Sequence, residues 1–316
     1  MQLTDPIFTD GDKAREYLEA NRWADGVFCP HCGGVERLKK LEGKSHRPGL
    51  YQCGQCRQQF TVTVGTVFER SKVPLNKWLL ATHLIASSKK GISAHQIHRM
   101  IGVTYKTAWF MFHRIREAMR DDTPVSFGSG GGFVEVDETF IGNNKAKKPR
   151  GQKKGRGGAH KYKILALVDR ATGKARSIVV DDLKQTTLGP ILRENIAKEA
   201  TLMTDELGTY KGLGKEFAAH HYVRHGMGEY VNRLNPEILT NTIEGYFSIF
   251  KRGMKGVYQH CGRQHLHRYA AEFEFRYNHR IGLAPVSPDS QAVFVEALMN
   301  SRGERILSPE CGWFSL

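Results

Sequence analysis

The 316-residue sequence has no long hydrophobic run. No stretch approaches the roughly 18 uninterrupted apolar residues of a membrane-spanning helix, and the N-terminal segment MQLTDP lacks the basic and then apolar pattern of a secretion signal. These two absences argue against a membrane protein and against an exported one. We therefore expect a chain that stays in the cytoplasm and makes no membrane contact.

Cysteine is also scarce, with six residues in the whole chain. In the reducing cytoplasm, cysteines serve as metal ligands or as free thiols more often than they form disulfides. A disulfide-stabilised fold is therefore not expected, and any pairing of the cysteines along the chain points first to a bound metal ion.

Acidic residues are the minority charge: 32 Asp and Glu face 47 Lys and Arg, which gives a formal net charge of +15. Such an excess favours a polyanionic partner, with nucleic acid first and an anionic membrane surface second. A basic protein that merely stays soluble is the third reading. With 40% hydrophobic residues the chain can bury a substantial core, and its length suits two or three domains.

Four of the cysteines form two C-x-x-C pairs separated by twenty residues: Cys29 and Cys32, then Cys53 and Cys56. This spacing is typical of a tetrahedral four-cysteine zinc site, although unrelated thiols or a redox pair share the letters. We predict a zinc ribbon over residues 1–66, with strand-prone residues at 60–64 and a structural Zn²⁺ ion. Cys261 and Cys311 are expected to be ordinary thiols, and His31 a spectator or a phosphate contact.

Helical periodicity over residues 75–88, 93–100 and 104–119 predicts three helices in a module that spans residues 67–124. The last two helices suggest a helix-turn-helix unit, whose second helix would present its N-terminal end to double-stranded DNA. The residues expected there are Thr104, Tyr105, Lys106 and Thr107. A helical hairpin between domains is the alternative. Arg114, Arg116 and Arg120 are expected to add positive charge to the module.

After a linker of Gly, Ser and Asp, the pattern changes to strands at 133–141, 162–168 and 175–180, a helix at 186–198 and a strand at 200–204. This β-β-β-α-β order, followed by helices to about residue 280, predicts a ribonuclease-H-like α/β catalytic domain over residues 125–290. Residues 143–160 form a basic glycine-rich loop whose role the sequence leaves open, and residues 291–316 are assigned as a tail.

Three acids in this domain are candidate ligands of a catalytic metal. Asp137 shares a face of the first strand with Glu135, Asp205 directly follows the last strand, and Glu244 opens a later helix. Converging carboxylates suit Mg²⁺ or Mn²⁺, and two such ions about 3.5 to 4 Å apart catalyse in-line displacement at phosphorus. Lys251, seven residues after Glu244, returns to the same helix face. Glu138 points to the opposite face of the strand and is expected to be dispensable.

Several short motifs extend the pattern beyond the acids: GTVF at 65–68, TYKTAW at 104–109, VDET at 136–139, TD at 204–205, NTIEG at 241–245, KRG at 251–253 with Gly256, and FRYN at 275–278. With the cysteine pairs, the sequence resembles the zinc-ribbon DDE transposases of bacterial insertion sequences, in particular the ISXO-two-like group. The resemblance covers nearly the whole chain from the first cysteine pair to about residue 280.

The resemblance implies that Asp137, Asp205 and Glu244 are the catalytic triad and that Lys251, with Arg252 beside it, contacts DNA phosphate. It also implies cleavage at terminal inverted repeats followed by strand transfer into target DNA. A homodimer is expected because two element ends must be joined, and DNA binding would associate the protein with the nucleoid. One departure is visible, since Leu239 stands where many relatives have His.

Two other functions fit part of the sequence. A DNA-binding regulator with an inert third domain would explain the cysteine pairs and the helical module, but it leaves the three acids and Lys251 without a role. A ribonuclease-H-like nuclease, such as a junction resolvase, would use the acids to cut DNA without rejoining it. Terminal inverted repeats flanking the gene would favour the transposase over both.

Overall fold

A computed structural model describes residues 2–142, 160–223 and 238–280. These residues form two compact units, one within residues 1–119 and the other from Arg120 to His279. None of the helices in these ranges is long and apolar enough to cross a membrane. The basic loop at 143–160, apart from His160, and the tail at 291–316 with Cys311 lie outside the described residues.

The first unit begins with a single 3-10 turn, Pro6–Phe8, and helix α1, Gly11–Arg22. Asp10 caps α1, because its side chain accepts hydrogen bonds from the backbone N–H groups of Asp12 and Lys13. Strands β1, Leu38–Leu41, β2, Leu50–Cys53, and β3, Gln59–Phe60, follow as an antiparallel sheet in that order. The sheet and α1 occupy the segment predicted to be a zinc ribbon.

The strand expected at residues 60–64 is wrong, because β3 ends at Phe60. Arg22 explains the difference: its Nη1 atom donates to the carbonyl oxygens of Val62 and Val64, each at 2.6 Å. Thr66 turns the chain further, since its hydroxyl donates to the Thr63 carbonyl at 2.7 Å. These carbonyls are therefore held by side chains in a turn, where a continued strand would have paired them with β2.

Three helices complete the first unit: α2, Leu75–Ser87, α3, Ala94–Ile101, and α4, Tyr105–Ala118. The three predicted helices are confirmed to within a residue or two at their ends. Ser93 and Gln96 form a capping box at the start of α3, and Gly102 ends it in the left-handed region at φ 63°. Ile97, Ile101 and Ala108 are buried as their spacing predicted.

Two of the three arginines that were expected to add surface charge are buried. Arg114 is 3% exposed and Arg116 is 2% exposed. Arg114 donates two hydrogen bonds of 3.0 Å to the Glu69 carbonyl and lies against the rings of Trp78 and Phe110. These residues therefore support the helix packing, and they offer no charge to a partner on the surface.

The second unit is built on a five-stranded sheet whose strands are β4, Phe133–Ile141, β5, Tyr162–Asp169, β6, Ala175–Val180, β7, Thr201–Thr204, and β8, Ala219–Tyr222. The spatial order is β6-β5-β4-β7-β8. β4, β5 and β6 are antiparallel neighbours, whereas β7 runs parallel to β4 and β8 parallel to β7. This is the ribonuclease-H-like arrangement that the strand order predicted, except that β8 lies where the sequence predicted only helices.

Helices cover both faces of this sheet: α5, Gln185–Asn195, α6, Tyr210–Leu213, α7, Asn241–Gly253, and α8, Arg263–Asn278. Val134 and Val136 of β4 pack in one core with residues of α5 and α6. Residues of β5 that face the other way pack with α7 and α8. The side chains at 135 and 137 therefore belong to the face that α7 covers.

Candidate functional site

The four paired cysteines converge in the first unit. Their sulfur atoms all lie within 4.8 Å of one another, with Cys29 to Cys56 at 3.6 Å and Cys32 to Cys53 at 3.7 Å. A tetrahedron with Zn–S bonds of about 2.3 Å has sulfur-to-sulfur edges of about 3.8 Å. The cysteine sulfurs thus fit a closed, structural zinc site.

His31 lies close to this site in the sequence but does not join it. The group of possible ligands that the structure brings together consists of the four cysteines, and the Nε2 atom of His31 lies 3.4 Å from the carbonyl oxygen of Gln59. Its expected role as a phosphate contact stays a prediction. Cys261, in the second unit, is half-buried, and the group of possible metal ligands does not include it.

The N-terminal end of α4 carries the residues expected to contact DNA. Thr104 is the N-cap, and its hydroxyl accepts from the Thr107 backbone N–H at 3.2 Å and lies 2.8 Å from the Thr107 hydroxyl. Tyr105 stacks on the His95 ring with a centroid distance of 4.2 Å, yet 42% of it stays exposed. Lys106 is exposed. The two threonines are thus engaged in capping, and Tyr105 and Lys106 are the side chains most available to a partner.

Asp137 and Asp205 come together because β4 and β7 are parallel neighbours. The paired residues Glu135 and Met203 set a register that, continued by two residues, brings Asp137 level with Asp205. The Asp205 side chain accepts from the Leu207 backbone N–H at 2.9 Å, which holds the turn after β7. Asp137 accepts from the backbone N–H of Glu138 at 2.7 Å. The predicted juxtaposition of these two carboxylates is confirmed.

Glu138 joins the two aspartates, which the sequence did not predict. It faces α6, as alternation along the strand requires, and accepts a hydrogen bond from the Tyr210 hydroxyl. Its carboxylate nevertheless lies within 4.8 Å of those of Asp137 and Asp205. Burial, together with the negative charges of the two aspartates, raises the pKa of Glu138 to about 8. Glu138 is therefore part of the acidic group, and the expectation that it is dispensable loses its basis.

Glu244 lines the same cavity of 530 Å³ as the two aspartates, although its carboxylate is not among the three that lie within 4.8 Å of one another. The cavity is lined by Asp137, Asp205, Glu244, Phe247, Ser248, Lys251 and Arg252. Helix periodicity explains the last five of these residues, because positions 244, 248 and 251 share one face of α7. All four residues predicted as catalytic, and Arg252, therefore lie around one open cavity.

The charges around this cavity are segregated along α7. Glu244 lies in the first turn, where a negative charge is favoured by the helix dipole, and Lys251 and Arg252 lie in the last turn. Seven residues of helix separate Glu244 from Lys251 by about 10 Å along the axis. Lys251 Nζ lies 5.7 Å from the centre of the Phe247 ring, and Arg252 donates to the Ser248 hydroxyl at 2.8 Å. The cavity thus has an acidic end and a basic end.

Leu239, which departs from the pattern of the resembled family, contributes through its backbone. Its carbonyl oxygen accepts a hydrogen bond from Arg170, just before α7 begins. The side chain at this position takes no part in that interaction, so the departure leaves it intact.

The sequence matches two family models. Residues 130–278 match the ISXO2-like transposase domain, and residues 9–59 match the transposase zinc-ribbon domain. The chain is also 28% identical over 280 residues to an uncharacterized protein in transposable element ISH50 of Halobacterium salinarum, covering 85% of this chain and 91% of that protein.

Among solved structures, the chain is similar to the catalytic core domain of BIV integrase, with a TM-score of 0.33 and 12% identity over 53% of this chain and 96% of that one. It is also similar to a chain of a simian T-cell lymphotropic virus intasome, with a TM-score of 0.28, 10% identity, and coverage of 62% and 73%.

The matched domains and the acidic site define a metal-dependent nuclease or nucleic-acid transferase. Within that class, the chain belongs to the zinc-ribbon DDE transposases of the ISXO2-like group. DNA is accordingly its partner.

Proposed function

We propose that the protein binds the terminal inverted repeats of its element, cleaves the ends and transfers their 3′-hydroxyl strands into target DNA. One observation carries this proposal: Asp137, Asp205 and Glu244 line a single open cavity together with Lys251 and Arg252. Three acids and two cations around one solvent-accessible cavity suit a phosphodiester held next to divalent metal ions.

The acidic residues present fit Mg²⁺ or Mn²⁺, because carboxylate oxygens are the hard ligands that these ions prefer. Burial is the main cause of the raised pKa of Glu138, and the negative charges of Asp205 and Asp137, which a bound cation would neutralise, raise it further. Asp137, Asp205 and Glu244 would hold the ions. Two bound ions would supply activation of a water or a 3′-hydroxyl and stabilisation of the leaving oxygen.

The basic end of the cavity would hold DNA. Lys251 and Arg252 offer hydrogen-bond donors to phosphate oxygens, and such charge-assisted contacts fix the position of a strand. Because these residues share α7 with Glu244, a phosphate bound to them keeps a fixed distance from the acids. The basic residues would therefore orient the scissile strand, and the acids would serve the reacting phosphate.

End recognition would reside in the first unit. We assign residues 1–66 as the zinc ribbon, 67–124 as the DNA-binding helical module, 125–290 as the catalytic domain and 291–316 as the tail. Tyr105 and Lys106 would meet the DNA at the start of α4, where the threonines Thr104 and Thr107 cap the helix. A homodimer would hold the two ends of an element, and binding to chromosomal DNA would associate the protein with the nucleoid.

Single substitutions of the acids test the catalytic assignment. Asp137→Ala, Asp205→Ala and Glu244→Ala should each abolish cleavage of a labelled element end in Mg²⁺. The three losses should be alike, because residues that act as a unit are not additive. End binding, measured by gel shift, should persist in all three variants.

Glu206→Ala is the matched control for this experiment. Glu206 follows Asp205 directly, but its side chain is exposed and lies outside the acidic group. The Glu206→Ala variant should cleave the labelled element end at the wild-type rate. Normal cleavage by any of the three acid variants would remove that residue from the proposed site.

A further inference from the structure

A fourth acid on β4, Glu135, is fully buried and uses both of its carboxylate oxygens. It is 0% exposed. Its Oε1 atom accepts from Nε of Arg170 at 2.6 Å, and its Oε2 atom accepts from the backbone N–H of Ile243 at 2.9 Å. The same carboxylate thus joins the turn after β5 to the first turn of α7.

Arg170 makes a second connection to the same end of α7. Its Nη2 atom donates to the carbonyl of Leu239, two residues before the helix begins. The guanidinium group lies 5.5 Å from the centre of the Phe133 ring, and the Arg170 backbone N–H donates to the Phe133 carbonyl at 3.1 Å. Arg170 is therefore anchored on β4 and holds the chain where it enters α7.

This arrangement fixes the neighbours of two proposed metal ligands. Glu135 is two residues before Asp137 on the same face of β4, and Ile243 directly precedes Glu244. The side chain of the N-cap residue Thr240 makes no capping hydrogen bond to α7. The Glu135 carboxylate instead accepts a hydrogen bond from a backbone N–H of the first turn, that of Ile243. The position of Glu244 relative to Asp137 is thus set through one buried carboxylate.

Stability alone is a weak reason for such a pair. The free energy needed to remove two charges from water is often only just offset by the attraction between them in the protein interior. Apolar residues of similar volume in place of a buried ion pair frequently stabilise a protein as well as the pair does, or better. What an ion pair with several hydrogen bonds supplies in addition is a defined geometry. Outer residues that orient metal ligands commonly change metal affinity by about 10- to 100-fold when they are replaced.

We propose that Glu135 and Arg170 are positioning residues that hold Glu244 opposite Asp137 for metal binding. This inference rests on the proposed function, because it requires Glu244 to be a metal ligand. A positioning role for Glu135 differs from a purely structural role in one measurable respect. The effect of removing Glu135 on metal affinity should act through Glu244 and should vanish when Glu244 is already absent.

The test is the Mn²⁺ affinity of the full chain, measured by electron paramagnetic resonance of the free ion, with melting temperature recorded in parallel. Glu244→Ala should weaken Mn²⁺ binding at least about tenfold, and Glu135→Gln should weaken it by a similar factor. The double variant should bind no more than about twofold worse than Glu244→Ala alone. Arg170→Lys keeps the positive charge but cannot donate to both Glu135 and the Leu239 carbonyl as the guanidinium does, so it should also weaken Mn²⁺ binding. This variant replaces Glu135→Gln in the test if Glu135→Gln fails to fold.

Glu272→Gln is the control, because Glu272 is another fully buried acid whose partner, Arg276, lies 2.7 Å away within α8. It should lower the melting temperature and leave Mn²⁺ affinity within about twofold. If Glu244→Ala leaves Mn²⁺ affinity unchanged, the ligand assignment in the proposed function fails. If Glu244→Ala weakens binding but Glu135→Gln and Arg170→Lys do not, or if the losses multiply in the double variant, the positioning role is overturned.

Discussion

Adjacent residues on a strand point to opposite faces, yet Asp137 and Glu138 bring their carboxylates together near Asp205. The reason is that Glu138 is partly buried and its carboxylate accepts a hydrogen bond from the Tyr210 hydroxyl close to Asp205. A carboxylate buried near two others binds its proton more tightly than it does in water. The acidic group therefore has a pH dependence of its own in the metal-free protein.

Glu138→Gln should change how stability varies with pH. The pKa of Glu138 is about 8 in the folded protein against an ordinary 4.5. Its protonated form therefore contributes stability that is fully present below pH 4.5 and is lost as pH rises through 8, at up to about 1.4 kcal/mol per pH unit. Urea unfolding between pH 5 and 8 without added divalent ions should show a steeper fall in the wild type than in Glu138→Gln. Parallel curves for the two proteins would contradict the assignment.

Side-chain types and spacing predicted three acidic residues of the site, but neither the participation of Glu138 nor the burial of Glu135. The sequence indicates Asp137 by its face on the first strand, Asp205 by its place directly after the last strand, and Glu244 by its place at the start of a later helix. The burial of Glu135, and of Arg114 on α4, depends on partners that are distant in the chain, respectively Arg170 and Glu69. Periodicity reports which face a side chain points to, and it does not report what covers that face.

Among the elements, the zinc ribbon is expected to depend on a bound Zn²⁺ ion for its stability. It contains short strands of two to four residues, and such a small sheet has little core of its own. Cys29→Ser or Cys53→Ser should therefore unfold the ribbon, release zinc and abolish end binding, while the catalytic domain keeps its fold.

Zinc content and end binding of the purified variants are the measurements for the ribbon. The wild type should hold nearly one equivalent of zinc, because a closed structural site is nearly filled. Cys261→Ser, which alters a thiol outside the cysteine group, should keep both zinc and binding. A wild-type content below about half an equivalent would refute the structural site.

The N-terminal end of α4 makes a second prediction at the scale of elements. Lys106 is exposed there, and a phosphate contact by a lysine releases counterions from DNA. Lys106→Ala should weaken binding to element ends and lower the slope of log affinity against log salt by about 1. Lys13→Ala is the control, since Lys13 is an exposed lysine on α1 paired with Glu16 at 2.9 Å. Equal binding and equal salt slopes in Lys106→Ala and the wild type would remove Lys106 from the interface.

Elements with strong periodicity and clear ends were predictable, and the others were not. Strands β4 and β6 begin and end where the sequence indicated, and α3 follows from a capping box and a glycine. The strand expected at 60–64 does not form, because the Val62 carbonyl oxygen accepts a hydrogen bond from the side chain of Arg22, forty residues away in the chain. Helix α1, which Asp10 caps, has a weaker sequence signal than the cysteine pairs of the same segment and is not predicted from the sequence.

For the whole molecule, the net charge of +15 agrees with a partner of high negative charge. The two compact units separate the proposed tasks, with end recognition in residues 1–119 and chemistry in Arg120–His279. Joining two ends of an element would require two copies of each unit, which is the basis of the proposed homodimer. The central claim is therefore that one chain carrying both units cuts DNA and also rejoins it.

Strand transfer of a pre-cleaved, labelled element end into a plasmid measures that claim most directly. With a 3′-hydroxyl end and Mg²⁺, the wild type should give a joined product, whereas a matched 3′-deoxy end should give none because the attacking oxygen is missing. Asp205→Ala should bind the 3′-hydroxyl end and join nothing, and Glu206→Ala should join it normally. Nicking of an uncut end without any joined product from the 3′-hydroxyl end would contradict the account and would indicate a nuclease that cuts without rejoining.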